Sequence, residues 1–139
     1  MARTVADVMT RDPATVEAGE PVIEAARRMK TAGSGALVVL DNGRVVGMVT
    51  DRDITIRVVA EGKDVSVPTR EACSTDDLQV VGPDTSLDQA VQLMRTHAIR
   101  RLPVVEGDRA VGVLSIGDLA VELDETSALA DISVAEDNT

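Results

Sequence analysis

The sequence contains no phenylalanine, tyrosine or tryptophan, and it has a single cysteine, Cys73. Without aromatic rings, the core must be built from aliphatic side chains, and any ligand base has to lie between them. The lack of stacking platforms disfavours a surface for single-stranded nucleic acid. One cysteine excludes an internal disulfide and favours a buried apolar thiol. With only one histidine, His97, the chain offers too few soft ligands for a metal site.

Basic residues are also few: 14 Lys and Arg stand against 24 Asp and Glu, which gives a net charge of −10. Such a charge disfavours nucleic acid and anionic membranes as partners. No segment approaches the roughly 20 apolar residues of a membrane span, and the first residues lack the apolar run of a signal peptide. We therefore expect a cytoplasmic protein without a membrane partner.

What the sequence does contain is an internal repeat, since residues 4–57 align without a gap on residues 69–122. The segments 47–54 and 112–119 show the match most clearly. A repeat that cannot bury its apolar face alone packs against its copy. We therefore expect two repeats, related by a pseudo-twofold axis, that form one compact module with a shared cleft.

Each repeat shows the same order of signals, which predicts a β-α-β-β-α unit of an α/β fold. The first repeat is predicted to begin with a strand at 13–16, followed by a helix that Pro21 opens and Gly33 ends. Strands at 37–40 and 45–49 then follow, joined by an Asn-Gly turn, and a second helix runs from Thr50 to about Ala60. The second is predicted as an entry at Val80-Val81, a helix led by Ser86, strands at 102–105 and 110–114, and a helix from Ser115 to about Leu123.

The predicted boundaries place repeat 1 at 1–63 with a short leading helix at Val5–Met9, a linker at 64–68, repeat 2 at 69–124 and an acidic tail at 125–139. A counterpart of the leading helix is expected near Thr69–Ser74. On the helix after Pro21, the charged side chains are expected to face solvent, among them that of Arg28.

One motif occurs in both repeats at the same place: a glycine, then Thr50 or Ser115, then Asp53 or Asp118 three residues later. A carboxylate matches the vicinal hydroxyls of a ribose, a helix N-terminus suits a phosphate, and glycine lets a ligand approach the strand. The same spacing is also typical of a capping box, in which both side chains satisfy backbone donors. The motif alone leaves both interpretations open.

The combined pattern resembles the CBS domain in tandem, often called a Bateman module, over roughly residues 4–124. The segments that carry the resemblance are Val5-Ala6-Asp7-Val8-Met9-Thr10, Gly47-Met48-Val49-Thr50-Asp51-Arg52-Asp53-Ile54 and Arg100-Arg101-Leu102-Pro103-Val104-Val105. The chain is most similar to stand-alone two-CBS proteins of bacteria, including the hypoxic-response type. The resemblance implies a homodimer, in which four repeats form a flat disc, and adenosine-containing ligands in clefts between paired repeats.

The resemblance also implies roles for individual residues. Asp53 and Asp118 would hold ribose hydroxyls, Thr50 and Ser115 would reach the ribose or a phosphate, and Arg52 and Arg101 are candidates for neutralising a phosphate. The adenine pocket would be lined by the entering strands and closed by the segments that open the next strands: Thr15, Val16, Glu17, Val80, Val81 and Gly82 for the lining, and Gly35, Ala36, Leu37, Arg101, Leu102 and Pro103 for the closure.

We therefore expect a regulatory module without catalytic residues or an obligatory cofactor. Its candidate ligands are AMP, ADP, ATP, S-adenosylmethionine or a dinucleotide, and it would relay their binding to an unknown effector protein. The alternative is a ligand-free dimerisation scaffold, in which the Thr/Ser-x-x-Asp motifs serve only as helix caps.

Overall fold

The computed structural model describes residues 3–73 and 78–123. The helices are α1 (Val5–Val8), α2 (Val22–Ala32), α3 (Asp51–Ile54), α4 (Leu87–His97) and α5 (Ile116–Leu123). The strands are β1 (Thr10–Arg11), β2 (Thr15–Glu17), β3 (Ala36–Asp41), β4 (Arg44–Thr50), β5 (Arg101–Glu106) and β6 (Arg109–Ser115). The expected mixed α/β fold of two repeats is confirmed.

The chain folds into two compact units. The first unit is Pro13–Leu78, and the second combines the leading segment up to Asp12 with the chain from Gln79 onward. Each unit has its own aliphatic core, centred on Leu37 and Val49 in the first and on Leu102 and Leu114 in the second.

The first unit is built on a sheet with the strand order β2-β3-β4. Helix α2 connects β2 to the parallel strand β3 and turns Val22, Ala25 and Met29 toward the core. The β3–β4 hairpin closes through Asn42 and Gly43 at φ values of 54° and 82°. Since an Asn-Gly pair adopts this left-handed backbone at little cost, the predicted hairpin turn forms as expected.

The second unit repeats this plan with a changed edge, because its sheet has the order β1-β6-β5. β5 and β6 form the antiparallel hairpin, and β1 pairs antiparallel with β6. The predicted entry at Val80-Val81 is reduced to one parallel bridge between Val81 and Val104.

The leading segment packs in the second unit, although the repeat boundaries place it with the first. Val5 is fully buried in the second core, and its N–H donates to the carbonyl of Thr85 at 2.8 Å. Conversely, the predicted linker at 64–68 pairs with the start of α2, where Val22 N donates to the carbonyl of Val67 at 2.8 Å. The two packed units therefore have different boundaries from the two sequence repeats. The leading segment and the linker each lie in the unit whose residues they contact and hydrogen-bond.

The helix predicted from Thr50 to about Ala60 changes type partway. It is α-helical to Ile54 and then forms a π-helical turn at Thr55–Val59. The Thr55 hydroxyl donates to the carbonyl of Asp51 at 3.0 Å, and Ala60 N donates to the carbonyl of Thr55 at 2.8 Å. The wider turn keeps Val58 fully buried in the first core.

Two further predictions fall near the limits of the described chain. The counterpart of the leading helix is a single 3-10 turn at Thr69–Glu71, and Ser74 lies outside the described residues. The acidic tail at 125–139 also lies outside them. Among the helices in the described ranges, we find none with the length and apolar character needed to span a membrane.

Candidate functional site

Three predicted site residues of the first unit meet at one end of its sheet. Thr15 begins β2, Ala36 begins β3 and Thr50 ends β4, and Ala36 pairs directly with Thr50. Thr15 pairs with Val38, two residues further along β3. The hairpin and the parallel crossover thus bring these strand ends together where α3 begins. We call this place the first sheet end.

Asp53 reaches back over the first sheet end to form a capping box with Thr50. Asp53 N donates to Oγ1 of Thr50 at 3.1 Å, and Thr50 N donates to Oδ2 of Asp53 at 2.9 Å. The other carboxylate oxygen, Oδ1, accepts no hydrogen bond from the described part of the chain. Asp53 is half-buried. Its carboxylate therefore completes the cap through Oδ2, and Oδ1 can accept a further hydrogen bond.

Asp51 explains the glycine at position 35. Asp51 N donates to the carbonyl of Gly35 at 2.9 Å, and a Cβ at Gly35 would lie 2.8 Å from Oδ2 of Asp51. A larger residue would therefore displace the Asp51 carboxylate. Its neighbour Arg52 is exposed at the same helix start, where its guanidinium is open to solvent.

The second unit repeats the arrangement with different neighbours. Asp118 N donates to Oγ of Ser115 at 3.1 Å, and Ser115 N donates to Oδ2 of Asp118 at 3.0 Å. Half-buried Arg101 pairs with Ser115, as Ala36 pairs with Thr50. Exposed Ile116 stands where the first unit has Asp51, so the two sheet ends differ in charge and in polarity.

Four of the predicted lining and closing residues are buried in the two cores. Val16 and Leu37 belong to the first core, and Val81 and Leu102 belong to the second, each at most 4% exposed. Ala36 and Pro103 are also buried, but neither belongs to a core cluster. Since a side chain that faces the core is turned away from a ligand, the four core positions offer mainly backbone atoms.

Glu17 lies away from the first sheet end, beside the hairpin turn. Its Oε1 accepts from Asn42 N at 3.1 Å, and its own N–H donates to Oε2 of Glu20 at 2.8 Å. Its charge therefore stabilises the turn. Val80, the counterpart of Thr15 in the second unit, is 41% exposed.

The sequence predicted that Arg28 faces solvent, but in the structure its side chain contacts β2 and Glu20. Its guanidinium donates to the carbonyl of Thr15 at 2.9 Å and to Oε1 of Glu20 at 2.7 Å. Arg28 thus fixes the strand that begins the first sheet end. Arg28 and Glu20 are eight residues apart, and Glu20 lies before the N-cap of the helix, so helical spacing gives no signal for the pair.

Gly112 has a packing role that the motif did not predict. A Cβ there would lie 2.6 Å from Sδ of Met9 and 2.8 Å from the carbonyl oxygen of Thr10. The neighbour that approaches this glycine is therefore the leading segment of the chain. Glycine is required because Met9 and Thr10, at the start of the neighbouring strand β1, lie too close to this position for a Cβ.

Cys73 is a buried thiol, as expected, and only 6% exposed. Burial raises the pKa of the Cys73 thiol, and the nearby negative charge of Asp53 raises this pKa further. Both effects disfavour the thiolate, which makes a reactive cysteine inconsistent with this position. Across residues 3–73 and 78–123, no cluster of three or more His, Cys, Asp or Glu side chains is arranged to hold a metal ion.

Comparison with known proteins identifies the family. A model of the CBS domain matches residues 5–60 and 70–125. The chain belongs to the CBS domain family. The CBS domain-containing protein YhcV of Bacillus subtilis (strain 168) is 45% identical over 118 residues, which cover 85% of this chain and 84% of that protein. Hypoxic response protein 1 of Mycobacterium tuberculosis (strain H37Rv) is 33% identical over 123 residues, 88% and 86% of the two chains. The tandem CBS pattern inferred from the sequence is therefore confirmed.

A solved structure shows the same fold. The CBS domain pair of protein MJ0100, in complex with 5′-methylthioadenosine and S-adenosyl-L-methionine, matches with a TM-score of 0.81. The match covers 91% of this chain and all of that one at 22% identity. At this identity, the similarity establishes the CBS fold of this chain.

Proposed function

We propose that this CBS pair is a non-catalytic regulatory module, which binds an adenosine-containing ligand and relays its presence to a partner protein. The observation that carries the proposal is the geometry of Asp53, which caps its helix through Oδ2 while Oδ1 accepts no hydrogen bond from the described residues. A ribose diol can donate to that oxygen without disturbing the cap. The cleft expected between the repeats stays a prediction.

The ligand class is supported by two further observations. MJ0100, which shares the fold, was solved with two adenosine-containing compounds. The first sheet end combines small Ala36, hydroxyl-bearing Thr15 and exposed Arg52, which suit a nucleoside with a phosphate or other anionic group. AMP, ADP, ATP, S-adenosylmethionine and a dinucleotide are the candidates, and the ordinary role of such a ligand is to favour one of two conformations.

The test is to measure binding of the candidate ligands to the wild type and to Asp53→Asn. The amide oxygen of Asn can still accept from Thr50 N, but the charge that strengthens a bond from the ribose is lost. Since a hydrogen bond to a charged group contributes about 1.5–3 kcal/mol, we expect Asp53→Asn to weaken binding by about tenfold or more. Titration calorimetry gives the dissociation constant directly. A guanine nucleotide is the ligand control.

Asp51→Asn is the matched control, because it removes the same charge two residues away at the same helix start. It should weaken binding much less than Asp53→Asn. Equal affinities of the wild type and Asp53→Asn for an adenine ligand that binds would refute the ribose role of Asp53. Absence of binding for the whole panel would instead favour the second candidate.

That second candidate is a ligand-free dimerisation scaffold. The observation that favours it is that both capping boxes are formed, with all four hydrogen bonds between 2.9 and 3.1 Å. Under this hypothesis, Asp53 and Asp118 contribute only to helix stability. Thr50→Ala, which removes a cap worth about 0.5–2 kcal/mol, would then lower the melting temperature without changing any ligand response.

We also propose that the protein is a homodimer. Large apolar side chains are exposed on the helices that follow the capping boxes: Ile56 at 50%, Val59 at 63% and Ile116 at 55%. Beside Ile116, a groove of about 510 Å³ runs between α4 and α5 and is lined by Met94, Ile99 and Leu119 among others. Apolar groups on such helices favour burial against a second copy.

A further inference from the structure

The two repeats differ on the side of the helix that follows the entering strand. In the first unit, Arg28 donates to the carbonyl of Thr15 and to Glu20 at 2.9 and 2.7 Å. Glu20 accepts from Glu17 N at 2.8 Å, and Glu17 accepts from Asn42 N at 3.1 Å. Three charged side chains thus link β2, α2 and the β3–β4 turn: Glu17, Glu20 and Arg28. We call them the charged plug.

The second repeat lacks the charged plug. At the aligned positions it has Gly82, Thr85 and Leu93, none of which carries a charge. The space is an open groove of about 590 Å³, which we call the α4 groove. Its walls include Val80, Gln89, His97, Val105 and Gly107 in addition to the three aligned residues. All three aligned positions therefore line the groove, where the first repeat has long charged side chains.

The backbone groups that the plug satisfies in the first unit are open in the second. The carbonyl of Val80, which corresponds to that of Thr15, accepts no hydrogen bond from any residue in the described ranges. Likewise Gly107 N, which corresponds to Asn42 N, donates to none of them. Only one contact is retained, since Gly82 N donates to Oγ1 of Thr85 at 3.0 Å. The groove thus presents one free acceptor and one free donor of the backbone.

The side chains that line the α4 groove determine which class of ligand it can bind. Apart from His97, its polar side chains are amides and hydroxyls, and its apolar walls include Val80 and Leu93. No Asp, Glu, Lys or Arg side chain of the described residues lines the groove, so a charged ligand gains no ion pair with a carboxylate, ammonium or guanidinium there. A volume of about 590 Å³ lies in the range of small-molecule sites. An uncharged ligand with N–H donors, a carbonyl acceptor and an apolar body fits these groups.

We propose that the α4 groove binds an uncharged small molecule of the carboxamide class, whose N–H groups bond to the Val80 carbonyl and whose carbonyl accepts from the polar lining. The groove shares Val80, Val81 and Gly82 with the predicted adenine lining, and it differs from the adenosine site proposed above in that neither Ser115 nor Asp118 lines it. The carboxamide supplies in the second repeat the donor that Arg28 supplies in the first.

Three probes of one shape and different charge test the ligand class: benzamide, benzamidine and benzoate. Two-dimensional amide NMR spectra of the wild type, recorded during titration, follow the signals of Val81, Gly82 and Gly107. We expect saturable shifts with benzamide, and weaker binding of cationic benzamidine and anionic benzoate by about tenfold. Tighter binding of either charged probe, or no saturable shift with benzamide, would overturn the proposal.

Rebuilding the charged plug in the second repeat tests the location. The variant carries Gly82→Glu, Thr85→Glu and Leu93→Arg, which copy the first repeat. A Cβ at Gly82 has room, since its nearest contacts would be Oγ1 of Thr85 at 3.7 Å and the carbonyl of Val105 at 3.8 Å. We expect benzamide affinity to fall by about tenfold or more, while Asp88→Asn, an exposed substitution on the same helix but outside the groove lining, leaves it unchanged.

If the triple variant fails to fold, Leu93→Arg alone decides the matter, because its guanidinium can reach the Val80 carbonyl as Arg28 reaches that of Thr15. Full benzamide binding by a folded plug variant would place the site elsewhere and refute the proposal. Titration of Leu93→Arg with AMP distinguishes this site from the adenosine site, because Leu93 is not among the residues predicted to contact adenosine.

Discussion

At the scale of single residues, Thr50 and Asp53 show how one pair serves two roles. The sequence predicted both a cap and a ligand carboxylate, and it could not separate them because the same spacing suits each. The structure forms the cap through Oδ2 of Asp53 and keeps Oδ1 outside it. The two roles are therefore compatible, and the substitution of Asp53 by Asn distinguishes them.

Cys73 makes a residue-scale prediction about pH. Burial, followed by the charge of Asp53, raises the pKa of the folded thiol above that of the unfolded chain, which is about 8.5. Above that pH, the unfolded state loses the proton first, so stability falls as pH rises through the window up to the folded pKa. Below the unfolded pKa, the thiol is protonated in both states and contributes no pH dependence.

We expect the free energy of unfolding of the wild type to fall relative to Cys73→Ala as the pH rises above about 8.5. Circular dichroism during urea denaturation measures it, since the chain has no Trp or Tyr to report unfolding. The cavity left by Cys73→Ala adds an offset that does not depend on pH. Parallel curves for the two proteins over this range would contradict the effect of burial on the thiol.

At the scale of elements, the sequence predicted the hairpins and the helix starts, because these depend on local residues such as Asn42, Gly43 and Ser86. It did not predict β1, a two-residue strand whose partner β6 lies about a hundred residues further along the chain. Nor did it predict the π-helical turn at Thr55–Val59, where burial of Val58 decides the geometry. Such features follow from contacts that are distant in sequence.

Gly112→Ala tests the pairing of β1 with β6. Its Cβ would lie 2.8 Å from the carbonyl oxygen of Thr10, so backbone as well as the flexible Met9 side chain must move. Overpacking of this kind costs about 1–3 kcal/mol. We expect a lower melting temperature by calorimetry and faster hydrogen exchange at Thr10 and Arg11.

Gly82→Ala is the matched control for this substitution, because a Cβ at Gly82 meets nothing closer than 3.7 Å. It should change stability by less than about 0.5 kcal/mol, as expected for an accommodated substitution. Equal melting temperatures for Gly112→Ala and Gly82→Ala would show that the leading segment does not depend on this glycine.

At the scale of the whole molecule, the exposed apolar side chains of Val59 and Ile116 predict self-association. Val59→Glu and Ile116→Glu place a charge on the surfaces that a second copy would cover, and burying an unpaired charge is unfavourable. We expect light scattering of the wild type to give twice the mass of one chain, and that of the double variant to shift toward a monomer.

Val65→Glu is the control for this prediction, since Val65 is 46% exposed but lies outside the helices that follow the capping boxes. It should leave the mass at that of a dimer. A wild type that is monomeric at high concentration would contradict the dimer, and so would a double variant that remains fully dimeric.

The sequence by itself determined the CBS repeats, the mixed α/β fold, the hairpins and both capping boxes, because each depends on residues close together in the chain or on the match between repeats. Only the tertiary structure decided that the leading segment packs in the second unit, that Arg28 holds Thr15 and that the α4 groove is open. Val5, Arg28 and Leu93 find their partners through burial and hydrogen bonding across long separations. Local periodicity carries no information about such contacts.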